Sequence, residues 1–193
     1  MSAFSYHYVG ANEDSLVWEK FRRGDQIALG RIYRKQYNAL VRYGLSLVQD
    51  EELVEDCIQN LFEKLWLCRD RLGSILVIKP YLFKALRHHI IDQLTLQKQK
   101  SQFLATYFEK YTVTVSCEET LIAEQSREEQ RKKLLHSLGL LSKRQREAVY
   151  LKTFEELEYD KISEVMLLNQ QSIRNLIHQA VKTLKNNRSQ LAC

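Results

Sequence analysis

The segment LVEDCIQNLFEKLW, residues 53–66, carries a very regular apolar pattern and decides the fold class. Apolar side chains recur every four residues in two adjacent rows, which are Leu53, Cys57, Leu61 and Leu65 beside Val54, Ile58, Phe62 and Trp66. Rows at this spacing form one broad apolar face of an α-helix. Asp50 suits the N-cap, and the acids that follow it suit the positive end of the helix dipole. We predict a helix that extends to about Arg71.

The composition favours a protein built from helices. Its 193 residues include six Gly and one Pro. That is too few for a sandwich, barrel or propeller, which needs a tight turn every ~8–12 residues. Hydrophobic residues make up 45% of the chain and charged residues 27%, so it can form a core. We predict an all-α protein whose net charge of +5 is compatible with an anionic partner.

Two predicted segments flank the central helix. Residues 14–48 carry apolar residues at three- and four-residue intervals, which predicts one or two helices. After it, residues 73–79 (GSILVIK) break the pattern, and Pro80 can occupy the first position of a new helix. This helix extends to about Gln97 and has a basic outer face that includes Lys84, Arg87 and His88, whereas Phe83 is expected in the core.

The apolar pattern then weakens between residues 101 and 128, where Glu outnumbers Lys and Arg. We interpret this stretch as a flexible linker between two helical domains. The predicted organisation is an N-terminal helical domain over residues 1–100, the linker over 101–128, and a C-terminal domain over 129–193.

The C-terminal domain has the outline of a helix-turn-helix. Ser142 and Gln145 match a capping box, a short helix is predicted over residues 159–166, and Asn169 suits the N-cap of a last helix that ends near Lys185. The outward positions of that last helix carry side chains that can bond to base edges or phosphates. No Asp or Glu follows Glu164. The polar residues of this helix form a candidate DNA-reading surface.

No pattern in the sequence predicts catalysis, a cofactor or a metal site. It has no glycine-rich phosphate loop, and its four cysteines lack the spacing of a zinc site. The charge run of Glu155, Glu156 and Glu158 is interpreted as solvated. The apolar runs are shorter than the ~18 residues of a membrane span, and the first residues do not resemble a secretory signal, so we expect a cytoplasmic protein without membrane insertion.

Three of these segments resemble those of bacterial ECF (extracytoplasmic-function) RNA polymerase sigma factors. VEDCIQNLFEKLW, residues 54–66, resembles a helix of the first domain in that family. LSKRQREAV, residues 141–149, is similar to the opening of its second domain, and NQQSIRNLIHQAVKTL, residues 169–184, to its recognition helix. The family commonly has Gly in the turn before the recognition helix, where this chain has Leu167. The ordered set covers roughly residues 25–100 and 129–188.

The resemblance implies roles for three surfaces. The surface that docks on core RNA polymerase would consist of Asp56, Gln59, Asn60, Phe62, Glu63 and Trp66. The loop at residues 73–79 and the helix after it would read and open the −10 promoter element, with DNA contacts from Lys79, Lys84, Arg87 and His88. The recognition helix would read the −35 element through Gln170, Gln171, Ser172, Arg174, Asn175, His178, Gln179 and Lys182. The implied partners are core RNA polymerase, promoter DNA and an anti-sigma factor.

Two other functions remain open at this point. An ordinary helix-turn-helix transcription regulator, acting without a sigma role, would bind a palindromic site as a dimer and without polymerase. A helical interaction protein that binds no nucleic acid would lack the steep salt dependence of phosphate contacts.

Overall fold

The computed structural model describes the backbone of residues 4–105 and 139–190, and within these the side chains of residues 13–97 and 139–186. The described part consists of helices and connecting turns, as the all-α prediction requires. In chain order the α-helices are α1 Phe4–Arg22, α2 Gln26–Leu47, α3 Glu51–Leu67, α4 Ile78–Ala105, α5 Lys143–Thr153, α6 Tyr159–Met166 and α7 Gln170–Gln190. A short 3-10 turn, Arg69–Arg71, follows α3.

Residues 14–48 form parts of two helices, because the chain turns at Gly24 and Asp25. Gly24 has a φ of 91°, a left-handed conformation that glycine adopts without steric cost. The carboxylate of Asp25 then accepts hydrogen bonds from the N–H groups of Ile27 (2.8 Å) and Ala28 (3.2 Å), which caps α2. The turn allows α1 to pack back against α2.

Helix α3 begins as predicted, but it ends earlier. Asp50 is its N-cap and accepts a hydrogen bond from the N–H of Leu53 at 3.0 Å. The predicted end near Arg71 is wrong, since α3 ends at Leu67 and residues 69–71 tighten into the 3-10 turn. Its apolar face packs on α2, where Gly44 allows a close approach: a Cβ atom at that position would lie 2.5 Å from Cγ1 of Val54.

Helix α4 differs from the prediction at both ends. It begins at Ile78, so Pro80 occupies the third helical position and not the first. Proline is tolerated there because the N–H groups of the first turn lack intrahelical acceptors. The carboxylate of Asp14 takes one of these free donors, the N–H of Ile78, at 3.1 Å. The helix continues to Ala105, into the segment predicted as linker, and the remainder of that segment lies outside the described residues.

The C-terminal unit, α5–α7, has the predicted helix-turn-helix. The reciprocal capping box of Ser142 and Gln145 starts α5, and the side chain of Asn169 accepts from the N–H of Ser172 at 2.7 Å at the start of α7. Between α6 and α7, Leu167 has a φ of 54°, the left-handed conformation for which glycine is the usual residue. The turn therefore keeps its geometry without a glycine.

The C-terminal unit packs directly on the N-terminal unit, α1–α4. Helix α6 lies against α4, and α5 lies against α2. The buried side chains form one continuous cluster that includes Phe83 and Leu86 of α4 together with Leu151, Ile162 and Val165. Helix α7 packs on α5 and α6.

Candidate polymerase and nucleic-acid interfaces

The side of α3 that faces away from the core carries the predicted polymerase-binding residues. Asp56, Gln59, Asn60 and Glu63 are all exposed, at positions that share one helix face. Phe62 is buried and Trp66 is half-buried at the border of this face. The surface thus combines carboxylate and amide groups with an aromatic margin.

A groove of about 430 Å³ opens next to this face, between α2 and α3. Phe62 and Trp66 line it together with Tyr33, whose ring meets that of Phe62 edge-on at 4.9 Å between centroids. The guanidinium of Arg69 lies 4.4 Å from the ring centre of Trp66, and its Nη1 donates to the Trp66 carbonyl at 2.8 Å. These contacts hold the aromatic margin in place beside the exposed polar side chains.

Helix α7 presents an exposed polar face with no acidic residue. Its apolar side rests on α5 and α6 through buried Ile173 and Ala180, whereas Val181 is exposed. The predicted DNA-reading side chains that are exposed are Gln170, Gln171, Arg174, Asn175, His178, Gln179 and Lys182, whereas Ser172 is half-buried. Their amide and imidazole groups can donate to and accept from base edges, and the guanidinium of Arg174 can donate to them.

Neighbouring contacts orient part of this face. Nε2 of Gln171 donates to Oδ1 of Asn175 at 3.0 Å. The guanidinium of Arg174 lies 5.6 Å from the ring centre of Tyr159 in α6, within range of a cation–π interaction. Arg174 is thereby held at the junction of the two helices of the helix-turn-helix while it stays exposed.

The loop before α4 is tied at one end and exposed in the middle. The indole N–H of Trp18 donates to the carbonyl of Gly73 at 2.9 Å, and Asp14 holds the other end at Ile78. Between them Leu76 is 74% exposed. The loop is therefore anchored on both sides with an apolar side chain projecting into solvent.

On α4 itself, the predicted basic outer face divides into two parts. His88 is exposed and Lys84 is half-buried. The prediction that Arg87 faces solvent is wrong, because its side chain is only 15% exposed and its Nε donates to Oε1 of Glu147 in α5 at 2.7 Å. Its Nη2 lies 3.5 Å from the second carboxylate oxygen of Glu147.

Glu147 is the residue that the sequence analysis missed. It is 5% exposed, and Oε1 also accepts a 2.8 Å hydrogen bond from the hydroxyl of Tyr43 in α2. Burial and the neighbouring carboxylate raise the pKa of Tyr43 well above its usual value. The available signal was its position one helical turn before the apolar Leu151, which places the carboxylate on the buried face of α5.

A second ion pair joins the two units at the start of α4. Nζ of Lys79 lies 2.5 Å from Oε2 of Glu155. Glu155 is 5% exposed, so its interpretation as part of a solvated charge run is wrong. Its Oε1 accepts a 2.9 Å hydrogen bond from Tyr150, and burial followed by this hydrogen bond raises the pKa of Tyr150 to about 12.

The described residues include no candidate metal centre and no membrane-spanning helix. No group of three or more His, Cys, Asp or Glu side chains among them could hold a metal ion. None of the described helices is long and apolar enough to cross a membrane.

Comparison with known proteins places the two units in one family. The family model described as Sigma-70 region 2 matches residues 32–100, and the model described as Sigma-70, region 4 matches residues 131–184. The chain is 26% identical over 166 residues to the ECF RNA polymerase sigma factor SigM of Bacillus subtilis (strain 168), covering 82% of this chain and 94% of the relative.

Solved structures share the fold at low sequence identity. CnrH, solved with the cytosolic domain of CnrY, is similar with a TM-score of 0.62 at 17% identity, covering 90% of this chain and 95% of that one. The sigma factor RpoE, solved with the anti-sigma factor NepR from Bartonella quintana, has a TM-score of 0.61 at 19% identity, covering 83% and 96%. Both Sigma-70 regions are matched in chain order and together span more than half of the sequence, so the chain belongs to the Sigma-70 family of RNA polymerase sigma factors and is similar to an ECF member over most of its length.

Proposed function

We propose that this sigma factor binds core RNA polymerase through the exposed face of α3 and selects promoters through α4 and α7. The observation that carries the proposal is the presence, in one chain, of the exposed face of α3 and of a helix-turn-helix whose exposed helix lacks acids. A transcription regulator without a sigma role has no need of the first surface. The chain supplies binding and site selection, and the polymerase supplies the chemistry.

The polymerase-binding surface consists of Asp56, Gln59, Asn60 and Glu63 with the margin of Phe62 and Trp66. A face that joins an aromatic margin to exposed carboxylates and amides resembles a protein interface, in which aromatic anchors lie beside a polar rim. The acidic character of the face also makes it a poor DNA surface, since phosphates would repel Asp56 and Glu63.

Promoter DNA is proposed to meet the chain at two places. Arg174, Asn175, His178 and their exposed neighbours on α7 would enter the major groove of the −35 element. The exposed loop before α4, with Lys79, Lys84, Arg87 and His88 after it, would act at the −10 element, where phosphate contacts position the DNA and an unstacked base can be captured.

The proposed partners follow from these surfaces. Core polymerase and promoter DNA place the site of action in the cytoplasm. RpoE from Bartonella quintana was solved with an anti-sigma factor, and we propose that this chain has a regulator of the same kind. The predicted domains at residues 1–100 and 129–193 would provide its two contact regions, with the linker between them.

The decisive experiment is co-purification of the full chain with core RNA polymerase, followed by run-off transcription on genomic fragments. We expect a stable complex and transcripts that require both components. Asp56→Ala with Gln59→Ala should abolish the complex, whereas Glu164→Ala, an exposed substitution on α6, should not. Failure of the wild-type chain to bind core polymerase would overturn the proposal, and full binding by the double variant would remove the α3 face from it.

A further inference from the structure

We propose that the C-terminal unit competes with promoter DNA for α4 and holds the free chain in a closed, DNA-excluding state. This inference rests on the proposed role of Lys79 and Arg87 as DNA contacts. Glu147 and Glu155 would then be intramolecular substitutes for DNA phosphates. We call the two ion pairs, Arg87 with Glu147 and Lys79 with Glu155, the carboxylate clamp.

The clamp uses one row of α4. Lys79, Phe83 and Arg87 are spaced four residues apart, so they lie along one face, and the two cations are separated by about 12 Å of helix. Each cation of this row pairs with a carboxylate of the C-terminal unit. Phe83 between them is fully buried and stacks on Tyr43 at 4.7 Å between ring centres.

The clamp leaves little of either cation available to DNA. A phosphate contact requires guanidinium or ammonium donors that face solvent. In the closed chain the donors of Arg87 are directed at Glu147, and Nζ of Lys79 is directed at Glu155 and its carbonyl. Promoter DNA can reach this row only when α5 and α6 move away from α4.

Closure affects the two proposed DNA surfaces differently. The closed chain leaves Arg174, Asn175 and His178 of α7 exposed, so the recognition helix remains accessible. The surface of α3 that faces solvent is likewise uncovered. The clamp would therefore block action at the −10 element while it permits contact with duplex DNA through α7 and docking on polymerase through α3.

The energetics of the clamp make it reversible. Charges that leave water lose hydration free energy, and this desolvation cost can match or exceed their mutual attraction. Loss of the clamp can be compensated when DNA phosphates or acidic polymerase surfaces bind Lys79 and Arg87 instead. Neutralising Glu147 leaves Arg87 buried without a counter-charge in the closed state but hydrated in the open state, so it favours opening.

The test compares the full wild-type chain with the clamp variant Glu147→Gln/Glu155→Gln and with the control variant Glu156→Gln/Glu164→Gln. The control removes the same two charges from exposed positions of the C-terminal unit. Small-angle X-ray scattering reports the radius of gyration, and fluorescence anisotropy reports affinity for a labelled single-stranded DNA pool of randomised sequence. Binding to core polymerase is measured in parallel for all three proteins.

We expect the clamp variant to expand and to bind single-stranded DNA roughly tenfold more tightly, because apparent affinity rises with the fraction of binding-competent molecules. The control should match the wild-type chain in both measurements. Should circular dichroism show that Glu147→Gln impairs folding, Glu155→Gln alone against Glu156→Gln carries the same comparison.

Two results would overturn the proposal. An unchanged radius of gyration would show that the ion pairs do not hold the units together. Expansion without tighter DNA binding would show that the clamp does not mask a DNA surface. If the proteins still bind core polymerase in either case, the proposed sigma role is unaffected. Failure of all three proteins, including the wild-type chain, to bind core polymerase would instead contradict the proposed sigma role. The clamp would then have no promoter binding to regulate.

Discussion

The hydroxyl of Tyr43 donates a 2.8 Å hydrogen bond to Glu147, a residue 104 positions further along the chain. The same carboxylate oxygen accepts from Nε of Arg87. Three helices, α2, α4 and α5, thus meet at one buried carboxylate. This contact links the two units at the point where a basic side chain of α4 would otherwise face solvent.

Tyr43→Phe is expected to destabilise the chain moderately. It removes one donor from a buried carboxylate and leaves the stacked ring against Phe83, a change of about 1–3 kcal/mol in the free energy of unfolding. Thermal unfolding should show the loss as a lower Tm. Tyr33→Phe is the matched control, because Tyr33 lies on the exposed side of α2. An equal loss in both variants would show that the Tyr43–Glu147 hydrogen bond has no special weight.

The free energy of unfolding should fall at high pH, in part because Tyr150 ionises. Its pKa is about 12 in the folded chain against 10.0 for an ordinary tyrosine, so the folded state favours the neutral phenol. The resulting stabilisation is complete below pH 10 and is lost as the pH rises towards 12. Denaturant unfolding over this range should show a steeper loss for the wild-type chain than for Tyr150→Phe, and phenolate absorbance should show one late-titrating tyrosine fewer in the variant. Parallel curves for the two proteins would contradict the assignment.

Leu167→Gly is expected to stabilise the C-terminal unit. Leu167 is 53% exposed and holds a φ of 54°, so the substitution relieves a left-handed conformation and gives up little packing. The left-handed conformation costs an L-residue about 1–2 kcal/mol, and glycine avoids this cost. Part of the gain is lost because glycine makes the unfolded chain more flexible. Leu167→Ala keeps the Cβ atom and should give no such gain in Tm. A lower Tm for the glycine variant would show that Leu167 contributes packing that outweighs the strain.

Gly44→Ala should destabilise the N-terminal unit, because the new Cβ atom would lie 2.5 Å from Cγ1 of Val54. Overpacking of this kind costs about 1–3 kcal/mol. Gly30→Ala is the control within the same helix, since its Cβ atom would meet only the flexible end of Arg34 at 3.7 Å, and it should be neutral or stabilising. Adding Val54→Ala to Gly44→Ala should recover part of the lost free energy of unfolding, as measured by chemical denaturation. No recovery would place the strain elsewhere.

Arg174→Ala and His178→Ala are expected to change promoter choice without changing polymerase binding. Loss of one bidentate base contact relaxes discrimination at that position by about 1–3 kcal/mol. Run-off transcription on a library of promoter variants measures this preference, and co-purification measures polymerase binding. Lys182→Ala, which removes a candidate phosphate contact, should weaken all promoters more evenly. Unchanged preference in the first two variants would count against α7 as the reading helix.

Most local structure could be predicted from short-range patterns. The four-residue apolar rows of α3, the cap at Asp50, the capping box at Ser142 and the N-cap at Asn169 all depend on residues within one or two turns of each other. The ends of α3 and α4 were less predictable. They depend on the 3-10 turn after Leu67 and on the contact of Asp14 with Ile78, a residue 64 positions away.

The amino-acid sequence by itself determined the all-α class, the helix-turn-helix and the resemblance to ECF sigma factors, because helical periodicity and capping are local. Only the tertiary structure decided that Arg87 is paired and that Glu147 and Glu155 are buried. A charged residue on an amphipathic helix is expected to face water unless a distant segment supplies the opposite charge. The partners of Arg87 and Lys79 lie 60 and 76 positions away, a separation that no helical repeat encodes.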